Sequence, residues 1–112
     1  MLENSIHTHL PVVVKSFPAP KTPSFPSEAM LRDFQGEVLV VYSRKSVSVF
    51  SLSEKTFVGV VARFFRAIKK DKKAVFMVGG IVGNGGLFRS INRDEAIGKI
   101  TQTAFDSIGR VA

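Results

Sequence analysis

The chain has 112 residues and a formal net charge of +7, enough for one domain and short for two. It contains no cysteine, which excludes disulfides, thiolate metal sites and cysteine catalysis. Hydrophobic residues make up 45% of it and include ten phenylalanines, ample bulk for a packed core.

The N-terminus carries Glu3 where a secretory signal carries basic residues, and its apolar run LPVVV is too short for an h-region. No run of about 18 apolar residues exists, so no membrane span is predicted. With cysteine also missing, a cytoplasmic location is expected. Residues 1–26 read as an extended, flexible tail, because SFPAPKTPSFP holds four prolines in eleven residues. LPVVV is also able to add an edge strand, with Phe17 and Phe25 as anchors in a groove.

A single domain is expected over residues 27–112. Ser27 is a helix cap, Glu28 sits in the first turn and Gly36 lies just past the end, which predicts a short leading helix. EVLVVY and the alternating SVSVFSL, joined by SRKS, predict a hairpin over 38–43 and 46–51. Ser51 and Glu54 have the capping-box spacing, so a helix is predicted from there. Phe57, Val61, Phe64 and Ile68 form its apolar stripe, and Gly59, Arg63, Arg66 and Lys70 the opposite one. The apolar arc is wide enough to ask for a second packing partner besides one sheet.

AVFMV predicts a strand within 74–81, and 87–91 a second, joined through Asn84-Gly85, a type I′ turn dipeptide. Gly79 and Gly80 inside the first strand suggest a bulge or a close backbone approach. Asn92 and Glu95 form a weaker capping box for a last helix, whose stripe is Ile97, Ile100, Ala104, Ile108 and Val111.

The expected fold is therefore α+β: a four-stranded antiparallel sheet of two β-hairpins, with two main helices packed on one face, a short leading helix and the extended tail. From the second strand onward, the order β-α-β-β-α looks like part of a split βαβ. With its leading helix, the order is also similar in topology to roadblock-type dimerisation domains, where a fifth strand is expected.

Enzyme chemistry finds little support. Both histidines, His7 and His9, lie in the tail, and two imidazoles without a third ligand seldom hold zinc. Asp94 and Glu95 suit the first turn of a helix better than acid-base work. GGIVGNGG lacks the Lys-Ser/Thr of a phosphate loop and the GxGxxG spacing, and a KH-type GxxG over Gly80–Gly83 lacks its two helices and basic residue. A hairpin turn explains it better. No catalytic residue, cofactor or metal is predicted.

RFFRAIKKDKK, from Arg63 to Lys73, holds six basic residues and Asp71, a net of +5. Taking that from +7 leaves +2 for the other 101 residues, so the basicity is local. Part of it has a plain explanation: cations at a helix C-terminus complement its dipole. Its phenylalanines belong to packing rather than to base stacking. The functional reading is contact with a phosphate backbone through Arg63, Arg66, Lys69, Lys70, Lys72 and Lys73, with Arg89 and Arg93 nearby and Arg44 and Lys45 at the first hairpin tip. The protein is thus expected to be a small, non-enzymatic binder of nucleic acid or another polyanion. The alternative is an interaction module or structural subunit, assembling as a homo-oligomer or with a larger partner through an apolar helix face, a sheet face or the tail.

Overall fold

The computed structural model of the chain describes residues 12–19, 26–80 and 87–105. In chain order the elements are β1 (Val14–Pro18), α1 (Glu28–Leu31), β2 (Glu37–Tyr42), β3 (Ser46–Ser51), β4 (Thr56–Phe57), α2 (Val58–Lys70), β5 (Val75–Gly80), β6 (Leu87–Ile91), α3 (Arg93–Thr103) and β7 (Ala104–Phe105). The fold is α+β, and its main sheet is antiparallel with the order β1-β3-β2-β5-β6.

The main sheet has five strands rather than the expected four. The additional one, β1, comes from the proline-rich N-terminal segment and pairs with β3 from Val14↔Phe50 to Pro18↔Ser46. Ser51 N continues the ladder to the Val13 carbonyl at 2.7 Å. Without β1, β3 would present an open row of backbone donors and acceptors. Pro18 is tolerated because it closes an edge strand, where a missing N–H costs little. The Lys15–Asp33 ion pair and a 3.1 Å contact between the Ser16 and Ser48 hydroxyls also fasten this strand.

Strand alternation sends side chains to two faces, and both are covered. On one face Leu39, Val41, Phe50 and Phe76 pack with Val61 and Ile68 of α2 and Ala96 and Ile100 of α3. On the other, Val38, Val40, Val47 and Val49 are fully buried under Leu31 of α1 and Phe34, with Val12 and Phe17 packed alongside. Burying each such aliphatic or aromatic side chain stabilises the fold by roughly 1.5–3 kcal/mol. The two main helices thus share one face, and the short leading helix closes the other.

Local signals explain the boundaries. Ser27 Oγ accepts from Met30 N at 3.3 Å; the helix ends at Leu31, before the expected Gly36, which takes φ +73°, a left-handed conformation, at the entry to β2. The Asn84-Gly85 turn lies outside the described residues. The strands around it pair regularly, with Gly79 opposite Phe88. A Cβ on Gly79 would come within 2.2 Å of the Leu87 carbonyl oxygen, so a close backbone approach, not a bulge, requires that glycine.

One helix start differs from expectation, and one capping box is only half formed. Ser51 ends β3, its hydroxyl accepts from Ser53 N at 3.3 Å, and α2 begins only at Val58. The reason is competing pairing. Leu52 N donates to the Glu37 carbonyl, and Thr56–Phe57 is held extended beside β7 in a parallel two-stranded ladder. Phe57 therefore leaves the core stripe and stands 59% exposed. In α3, Asn92 Oδ1 does accept from Glu95 N at 2.8 Å, but the Glu95 carboxylate binds Arg89 instead of closing the box. The buried positions of α3 are Ala96, Ile100 and Thr103, with Ile97 half-buried. Ile108 and Val111 lie outside the described residues.

Candidate polyanion-binding surface

Helix α2 sorts the 63–73 segment by phase. Val61 and Ile68 are buried, Phe64 and Phe65 pack against the same core, and the Phe64 ring lies 4.9 Å from that of Phe50. Arg63, Arg66, Lys69 and Lys70 are exposed on the rest of the helix, and Lys72 and Lys73 are exposed in the turn that follows. Among the described residues, no carboxylate forms an ion pair with any of these six. Asp71, amid them, spends Oδ1 on Lys73 N at 3.1 Å and so shapes the turn.

The other two predicted cations have partners. Arg89 Nη2 donates to Glu95 at 2.7 Å. That pair raises the Arg89 pKa and holds the Glu95 carboxyl below its ordinary range. Arg93 is half-buried. Its Nη1 donates to the Ile68 carbonyl at 2.6 Å and its Nη2 to the Asp71 carbonyl at 2.9 Å, while its guanidinium lies 5.4 Å from the Phe76 ring centre. Arg93 therefore caps the C-terminal end of α2, where backbone carbonyls lack helical partners.

Arg44 and Lys45 form the tip of the β2–β3 turn, closed by Ser43 N to the Ser46 carbonyl at 2.9 Å. The flanking Ser43 and Ser46 share a cleft with Ala67, Ile68, Asp71 and Ala74. The hairpin tip and the C-terminus of α2 therefore meet along this cleft.

The cleft itself was missed in the sequence, although a signal existed. Ser46 and Ser48 alternate with Val47 and Val49, which places both serines on the helix-covered face with Phe50. Polar side chains on a covered face need a reason. His7 and His9 lie outside the described residues. No helix among the described residues is long and apolar enough to cross a membrane.

Comparison of the chain with known protein families, curated proteins and solved structures gives no match.

Proposed function

We propose that the protein is a small, non-enzymatic binder of polyanions, nucleic acid foremost, which contacts the phosphate backbone through Arg63, Arg66, Lys69, Lys70, Lys72 and Lys73. One observation carries this reading. The plain explanation for lysines at this place is the negative end of a helix, yet Arg93 already supplies a cation and two donors there. The six exposed cations are surplus to that local need, and none of them forms an ion pair with a carboxylate among the described residues. A concentrated positive surface of this kind attracts polyanions over a distance and binds them by releasing counterions. Arg89, tied to Glu95, adds less, and Arg93 contributes through the geometry of the helix end.

The test is charge reversal. Arg66→Glu with Lys70→Glu lowers the net charge of the exposed stripe by about four units and is expected to abolish binding to a nucleic-acid duplex or single strand at low salt. Folding stability is expected to stay within about 0.5 kcal/mol, as is usual for surface positions. Undiminished binding by the double variant overturns the assignment of the surface.

A second reading, assembly with another protein chain, rests on Leu87, which is 90% exposed on the edge strand β6. An edge with an apolar anchor suits addition of a strand from a partner. Native mass by light scattering, compared with that of Leu87→Lys, decides it.

A further inference from the structure

The cleft between the hairpin tip and the end of α2 holds about 130 Å³ and is lined by Val41, Ser43, Ser46, Ser48, Phe64, Ala67, Ile68, Asp71 and Ala74. Its volume corresponds to roughly four waters at liquid density, room for one small flat ring system and not for a stretch of chain. Its chemistry is divided. Val41, Phe64, Ala67, Ile68 and Ala74 offer apolar walls, while the three serines and Asp71 are polar residues already partly engaged: Ser43 Oγ donates to the Ser46 carbonyl and accepts from Ser46 N, the Ser48 hydroxyl contacts that of Ser16, and Asp71 Oδ1 accepts from Lys73 N. The hydroxyls of Ser43 and Ser46 lie 3.3 Å apart.

Basic residues adjoin the lining residues along the chain. Arg44 and Lys45 stand between the lining residues Ser43 and Ser46, Lys70 and Lys72 flank Asp71, and Lys73 precedes Ala74. Consecutive Cα atoms are about 3.8 Å apart, so five exposed cations lie one or two residues from the lining. The largely apolar lining, with the Asp71 carboxylate close by, disfavours a phosphate inside the cleft and favours a neutral group. The rim favours phosphate outside. A nucleotide unit has both parts: a flat base whose edge carries N–H groups, and an anionic phosphate on either side of it.

We propose that this cleft receives one unpaired nucleobase of a single-stranded nucleic acid while the rim cations hold the adjoining phosphates. The proposal rests on the polyanion reading and adds a strand preference to it, because a duplex keeps its bases stacked and paired. Apolar walls give base contact with little sequence demand, as in other single-strand binders. The same chemistry serves RNA and DNA, and both enter the test.

The experiment is fluorescence anisotropy at low salt. The full chain is titrated against a mixed-sequence single strand of about twelve nucleotides, a length within the span small single-strand binders cover. An abasic strand of equal length and charge is the comparison, and both are made as RNA and as DNA. The intact strand is expected to bind about tenfold more tightly, the range set by one base contact. Ala67→Leu, an exposed helical position on the cleft wall, is expected to erase that difference and leave abasic binding unchanged. Ser48→Val provides a second block from the sheet side should the first variant unfold. Equal affinity of the wild-type chain for intact and abasic strands overturns the base seat while leaving the phosphate surface standing. A tenfold difference that survives both blocking variants also overturns it. Failure of both strands to bind overturns the cleft proposal and the polyanion reading together.

Discussion

Arg93 at the start of α3 donates to the carbonyl of Ile68 in the last turn of α2 at 2.6 Å, across 25 residues of chain. This bond joins the two main helices and fixes the turn from which Lys72 and Lys73 project. Asp71 N donates to the same carbonyl at 3.2 Å, and Arg93 also binds the Asp71 carbonyl at 2.9 Å.

Arg93→Ala is expected to lower unfolding stability by about 2–3 kcal/mol, because two partly buried carbonyls lose a charged donor. Arg93→Lys should recover less than half of that loss, since an ammonium does not reproduce the planar fork. Urea denaturation measures both. Amide exchange in the last turn of α2 should rise in each variant, whereas a cation that served only as surface charge would leave it unchanged.

The glycines separate into required and replaceable ones. Gly79→Ala would press its Cβ to 2.2 Å from the Leu87 carbonyl oxygen and 2.6 Å from a ring carbon of Phe88. A loss of about 2–3 kcal/mol is expected, in line with overpacked interiors. Gly98 lies within α3 with open space at its Cβ position, so Gly98→Ala should stabilise by about 0.5–1 kcal/mol through helix propensity. Thermal or urea unfolding of the two variants should therefore shift in opposite directions.

Acid titration tests the Arg89–Glu95 pair. Hydrogen bonding to Arg89 holds the Glu95 carboxyl below its ordinary value of 4.5. Because the folded value is depressed, the pair's contribution is fully present above the unfolded value and is lost as pH falls through the folded one. The Glu95 carboxyl midpoint followed by NMR should lie below 4.5 and rise toward it in Arg89→Ala. An unmoved midpoint would show that Arg89 is not the cause.

Much of the fold was legible because the signals are local. β2 and β3 announced themselves by β-branched runs around a polar turn, and α3 by Asn92. What escaped depended on distant partners. The start of α2 moved to Val58 because Thr56–Phe57 pairs with Ala104–Phe105, nearly fifty residues onward. The fifth strand, which the sequence offered only as an option for LPVVV against a flexible tail, starts at Val14 and runs on through Pro18 beside β3. At the surface, helical phase separated Arg63, Arg66 and Lys70 from the Phe64 stripe. It offered no sign that Arg93 would turn to backbone carbonyls or that Ser43 and Ser46 would share a cleft with Asp71.

The salt dependence of nucleic-acid binding tests the central claim most directly. If about four of the six exposed cations meet phosphates, log K against log salt should fall with a slope of about −3.6 on duplex DNA and about −2.8 on a single strand. Arg66→Glu with Lys70→Glu should flatten that slope or remove binding altogether. Binding that is insensitive to salt, or no binding at low salt, would contradict the account.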